Sequence, residues 1–199
     1  MRLFWWIVII IALLVAGVVA YEILAPPVYI KKPAIYLYPE TEMPVSVRLT
    51  IDGTLTHTIP SYGHGWNVLA RPDGLIDNTY DYLFYEAKLG SVNLPSEGWI
   101  VPREKLSTWF DTQLPLLGLN IKEINQFKEY WLSKLPIASY YDIRKIDDSF
   151  LQKHLALFVH PQPQTIIRVE LAFKPLKKPY TLPTPKLIRS ARQGFTVVE

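Results

Sequence analysis

The sequence predicts an α+β chain: one N-terminal transmembrane helix, then a mainly antiparallel, β-sandwich-like domain with an inserted helical hairpin. Three observations predict it. Leu3 to Tyr21 is apolar and carries no charge. Several stretches of the remaining chain alternate apolar and polar residues with period two. One stretch, 102–135, switches to helical spacing.

Roughly 20 apolar residues cross a hydrocarbon core about 30 Å thick. "LFWWIVIIIALLVAGVVAY" meets that length, with Trp5 and Trp6 at one end and Tyr21 at the other, where interfacial aromatics belong. A cleaved signal peptide is the competing reading, with Val18-Val19-Ala20 as its cleavage site, but this run exceeds a signal core. The expected organisation is a signal-anchor helix over 1–25, a linker over 26–32 and an exported domain over 33–199. Arg2 on one side is nearly balanced by Lys31 and Lys32 on the other. Orientation therefore rests on the short N-terminus, which places it in the cytoplasm and the domain outside.

Within the domain, "AIYLY" (34–38) is a strand between prolines. "PVSVRLTIDGTLTHTIP" (44–60) alternates on both sides of Asp52-Gly53 and predicts a hairpin. A three-residue bulged loop pairs Leu49 with Leu55 and Val45 with Ile59, keeping one apolar face and turning His57 toward the core beside Val47. Trp66, Val68 and Ala70 share one strand face, and Arg71-Pro72-Asp73-Gly74 suits a type I turn with Gly74 left-handed. "DYLFYEA" (81–87) and "GWIV" (98–101) are further strands.

Leu106, Trp109, Phe110, Leu114 and Leu117 form one helical stripe, with Pro102 at its start. Asn120 and Glu123 have capping-box spacing for a second helix with stripe Ile121, Ile124, Phe127 or Lys128, Trp131 and Leu135. "SYYDIRKI" is a strand and "DDSFLQKHLA" a short helix. Thr165 to Phe173 reads as one strand, with Ile167, Val169, Leu171 and Phe173 on one face and Arg168 and Glu170 on the other. A Pro-rich extended segment follows, then a strand at "GFTVVE".

Composition narrows the function. Hydrophobic residues make up 49% of the chain, enough for a core, and a net charge of +3 gives no nucleic-acid footprint. With no cysteine, disulfides, thiol nucleophiles and Cys-ligated zinc are excluded. His57, His64, His154 and His160 lack metal-motif spacing, and there is no G-x-S-x-G elbow, so no cofactor, metal or catalytic residue is assigned. The candidate ligand-binding residues are Tyr62, His64, Trp66, Tyr80, Tyr82 and Glu86, because aromatic faces stack on sugars and a carboxylate accepts hydroxyls. Lys174, Lys177, Lys178, Lys186, Arg189 and Arg192 form an acid-free basic tail suited to an anionic lipid or wall surface. Expected partners are the bilayer, through 3–24, and an envelope glycan or membrane protein. A hydrolase using Glu86 and a structural subunit of a membrane complex are the alternatives.

"KPAIYLYPE" (32–40), "GWNVLARPDG" (65–74), "YLFYE" (82–86), "TIIRVELAFKPL" (165–176) and "GFTVVE" (194–199) together resemble a group of uncharacterised bacterial and archaeal membrane-anchored envelope proteins. In that group K-P-x-I-Y-L-Y-P opens a β-rich domain and G-F-T-V-V-E-W-G closes it. The resemblance implies a β-rich exported domain from Lys32 to Glu199 and supplies no catalytic residue.

Overall fold

The computed structural model describes Trp5, Trp6, Ile11, the backbone of 28–30, and residues 33–90, 92–187 and 191–199. It is mixed α+β, with mostly antiparallel sheets. Among the described residues, no helix is long and apolar enough to cross a membrane. The span expected over 3–24 lies outside the described residues, apart from Trp5, Trp6 and Ile11.

The architecture follows from one strand that is apolar on both faces. In β2 (Ala34–Tyr38), Ile35 and Leu37 enter one core, while Ala34 and Tyr36 enter another. A strand with two buried faces must lie inside a sheet covered on both sides. β12 (Thr196–Val198), also buried throughout, pairs antiparallel with β2, and β10 (Thr165–Ile167) pairs parallel with β12. On the other side of β2 lies β6 (Leu83–Leu89), which takes β1 (Val28–Ile30) beside β2 and β4 (Gly53–Ile59) on its far edge.

Two smaller sheets cover this one. β5 (Trp66–Ala70), β3 (Met43–Ile51) and β9 (Leu155–His160) form one, in that order. It encloses the first core, which includes Val45, Val47, Trp66, Val68, Leu83, Tyr85, Leu155 and Val197. β11 (Leu171–Leu176), β8 (Tyr140–Lys145) and β7 (Trp99–Pro102) form the other. With α1 (Leu106–Gln113) and α2 (Ile121–Lys134) it encloses the second core, around Tyr36, Phe110, Leu114, Ile124, Tyr141 and Ile143. α3 (Asp148–His154) leads into β9 and sends Leu151 into the first core. Each such fully buried Leu, Ile or Phe contributes about 1.5–3 kcal/mol.

Local chemistry sets the boundaries. α2 begins with a full capping box: Asn120 accepts from the Glu123 backbone and Glu123 accepts from the Asn120 backbone. Arg71 to Leu75 is the expected turn, with Gly74 N–H donating to Arg71 O at 2.9 Å and Gly74 at φ 84°. A Cβ on Gly74 would stand 2.6 Å from the Tyr38 ring, so sterics as well as dihedral angle demand glycine.

Five expectations need correction. The 44–60 hairpin does not pair with itself. β3 is hydrogen-bonded on both edges, to β5 and to β9, so β4 leaves it and joins β6. Asp52 pins the corner through its N–H to His154 O and its carboxylate to His154 Nδ1, both at 2.9 Å. His57 is exposed rather than core-facing, because Thr56 is an extra residue in β4: Leu55 pairs with Ala87, yet His57 pairs with Glu86. That bulge flips His57 to the outer face. The 165–173 strand is broken into β10 and β11, which belong to different sheets, so Arg168 and Glu170 are turned inward. Val28–Ile30, expected as spacer, pairs with Ala87–Leu89. Ile121 is 79% exposed at the first turn of α2, while Ile124, Phe127 and Trp131 carry the packing stripe.

Candidate functional site

The predicted ligand-binding residues divide between two faces of β6. Strand alternation turns Leu83, Tyr85, Ala87 and Leu89 into the first core and leaves Phe84 and Glu86, with Tyr82 just before them, on the opposite face. Antiparallel register sets His57 opposite Glu86 and Ile59 opposite Phe84, so these four side chains share the outer face. The His57 ring meets Phe84 edge-on, with centroids 5.7 Å apart.

α2 borders this face without sealing it. Tyr82 packs edge-on against Tyr36 at 5.3 Å, and Tyr36 Oη donates to Gln126 Oε1 at 2.8 Å. Gln126 Nε2 donates to Asp81 at 3.2 Å, and Lys122 pairs with Asp81 at 2.6 Å. Tyr130 on α2 is half-buried and stands edge-on to Trp131 at 5.4 Å, and burial, then the Glu86 carboxylate, raise its phenol above its ordinary range. Tyr82, Phe84, Glu86 and Tyr130 are half-buried and His57 is open. The patch therefore offers ring faces for C–H stacking, a carboxylate acceptor and an imidazole.

Trp66, Tyr62 and Tyr80 serve the fold instead. Trp66 is 3% exposed, and its indole N–H donates to Pro60 O at 2.9 Å. Tyr62 stands edge-on to it at 4.8 Å. The Tyr62 hydroxyl accepts from Leu49 N–H at 2.7 Å. Tyr80 packs on the first core, and its carbonyl accepts from Ile76 N–H at 2.8 Å. His64 is exposed at a tight turn closed by Gly65 N–H to Tyr62 O, and its carbonyl accepts from Arg48. The glycines around it are turn residues: Gly63 has φ 53° and Gly65 has φ 125°.

Sequence reading missed a buried ionic bracket. Arg168 Nε donates to Glu199 Oε2, Arg168 Nη2 to Leu155 O at 2.8 Å, and Tyr85 Oη to Glu199 Oε1 at 2.5 Å. Glu199 N–H bonds Ile167 O, and Glu199 O accepts from Val169 N–H, so the bracket knits "TIIRVEL" to "GFTVVE". Burial first, and Glu199 second, push the neighbouring Glu170 carboxyl up to about 8, so it holds its proton at neutral pH. Glu170, Glu199, Glu123 and Tyr36 line a cavity of about 30 Å³, room for roughly one water. The available signal was alternation that put charges on a segment otherwise as apolar as a core strand.

The basic tail is partly internal. Lys174, Lys177, Lys178 and Lys186 are exposed. Arg192 is half-buried: it pairs with Glu123, donates through Nε and Nη2 to Gly118 O at 3.1 and 3.0 Å, and lies over the Tyr38 ring. Arg189 lies outside the described residues. Among the described residues, no group of three or more His, Asp or Glu is placed to hold a metal ion. No family model, no curated protein and no solved structure matches this chain.

Proposed function

We propose that the chain is a single-pass, membrane-anchored extracytoplasmic binding module whose sandwich-like domain takes an envelope glycan on the outer face of β4 and β6. The observation that carries this reading is the half-buried patch of Tyr82, Phe84, Glu86, His57 and Tyr130, where rings and hydrogen-bonding groups stand side by side. The uncharged run Leu3 to Tyr21 supports the anchor, and Trp5, Trp6 and Ile11 are helical and exposed, as lipid-facing residues are. The five motif resemblances support membership in the envelope group.

The alternative is a hydrolase using Glu86, whose two-carboxyl chemistry needs a second carboxyl about 5–10 Å away. The cross-strand partner of Glu86 is His57.

The test is co-sedimentation of the full chain, in nanodiscs, with insoluble envelope polysaccharide. Losing one stacked ring is worth about 1 kcal/mol, roughly five-fold in affinity. Tyr82→Ala should lower binding by about that factor and, because Tyr82 packs edge-on against Tyr36 in the second core, also lower the melting temperature; Glu86→Gln should weaken binding with the melting temperature unchanged. Wild-type binding in both variants refutes the assignment, and soluble sugar products from wild type alone would favour the hydrolase. Capture of a membrane protein instead of polysaccharide would make the patch a protein interface.

A further inference from the structure

We propose that the end of the domain beyond the C-terminus of α2 is a docking face for an anionic phospholipid surface, with Ile137 as its apolar contact. The proposal rests on the anchor reading of Leu3 to Tyr21 and is independent of the glycan patch.

Two hydrogen bonds fix which way α2 points. Asn120 Nδ2 donates to Tyr38 Oη at 3.3 Å, and Tyr36 Oη donates to Gln126 Oε1 at 2.8 Å. From Asn120 to Gln126 the helix therefore runs from Tyr38 toward Ala34, against the direction of β2 and along that of β6. It continues to Lys134, about 12 Å further at 1.5 Å per residue. Ile137 follows, toward the Leu89 end of β6. At that end Val28 pairs with Leu89, where the chain arrives from the N-terminal apolar run. From Leu24 to Val28 the backbone covers at most about 14 Å. A tether that short keeps this end of the domain within reach of the headgroups.

The surface at this end has the chemistry of a membrane interface. A groove of about 730 Å³ lies between the loop after α2, the start of β8 and the end of β11. Ile137, Tyr140 and Leu176 line it, and Ile137 is 87% exposed. One exposed isoleucine is ordinary, but this one stands among cations. Arg103 and Lys177 line the groove, with Glu104 as the acid among its lining residues. Lys134 and Lys178 are exposed and close by in the chain. Among the described residues none of these four cations forms an ion pair. An apolar side chain entering the acyl boundary, with lysine and arginine left at the phosphates, is how interfacial segments bind. The cations alone would suit any polyanion. Ile137 gains only where an apolar phase receives it, and the short tether supplies one.

The chain has no cysteine, so Ile137→Cys creates a unique position for an environment-sensitive fluorophore. Glu40→Cys, exposed just past Tyr38 at the opposite end, is the control. Each labelled full chain goes into nanodiscs of phosphatidylcholine, with or without phosphatidylglycerol. Co-elution with the discs reads the anchor, and the label reads the docking. With phosphatidylglycerol the label at 137 should shift to the blue and be quenched by spin-labelled lipid, while the label at 40 does neither. Lys177→Gln and Lys178→Gln should each lower the docked-to-free ratio about five-fold, with the melting temperature kept. A chain that co-elutes with its 137 label unquenched overturns the docking and leaves the anchor standing; a chain that does not co-elute overturns both. A blue shift without lipid quenching would make the face a contact between protein chains and overturns the proposal. So does equal quenching in neutral discs or after loss of both lysines.

Discussion

Replacing Arg192 with alanine should destabilise the domain by about 3 kcal/mol. The number comes from what the guanidinium leaves behind. Glu123 is 1% exposed, and its carboxylate faces Arg192, the Asn120 N–H at 2.8 Å and the Asn120 side-chain amide at 3.1 Å. Removing one partner of a buried ion pair typically costs 3–5 kcal/mol, because the other charge stays buried and uncompensated. Arg192 is 27% exposed, so water partly replaces it, and the lower end of that range applies. The Gly118 carbonyl loses its two donors at the same time. A domain has only 5–15 kcal/mol in hand, so the effect is large and readable by urea unfolding followed through tryptophan fluorescence. The double variant Arg192→Leu, Glu123→Gln should recover part of the loss, since no buried charge remains. A single-variant loss below 1 kcal/mol, or a double variant no better than the single, would refute the reasoning.

Glu170 gives a pH prediction. Its folded carboxyl is held up to about 8, while an unfolded glutamate titrates near 4.3. Between those values the folded state holds a proton that the unfolded state has released, so this group's contribution falls as pH rises from about 4.3 to about 8 and is flat above. Glu170→Gln should flatten that slope in urea midpoints measured from pH 5 to 9; a parallel slope in the variant would exclude Glu170 as its source. Gly74→Ala should cost roughly 1–3 kcal/mol, since φ is 84° and the new Cβ meets Tyr38 at 2.6 Å. A melting temperature within a degree of wild type would show that the turn relaxes freely.

The parts legible in sequence were those set by local chemistry. The capping box at Asn120 and Glu123, the "RPDG" turn and the alternation in β5 depend on neighbours a few residues away. Partner choice was not legible. Asp52-Gly53 announces a reversal, and nothing in 44–60 says that β5 and β9 occupy both edges of β3. A single bulged residue, Thr56, then moved His57 from the core to the outer face beside Glu86. Alternation sets Arg168 and Glu170 on the face opposite Ile167 and Val169 without saying that this face is buried. Here the chain crosses between two sheets and both sides are covered. The aromatic patch was half visible: Tyr82 and Glu86 were named, but Phe84, His57 and Tyr130 needed the register of β4 on β6 and the placement of α2.

The most direct measurement is a map of aromatic side-chain NMR signals in the full chain during titration with a soluble envelope oligosaccharide. Signals of Tyr82, Phe84, Tyr130 and His57 should shift in proportion to bound ligand, while Trp66 and Tyr62, locked against the first core, should stay still. Shifts confined to Tyr62, His64 and Trp66, or no shift at saturating sugar, would contradict the account.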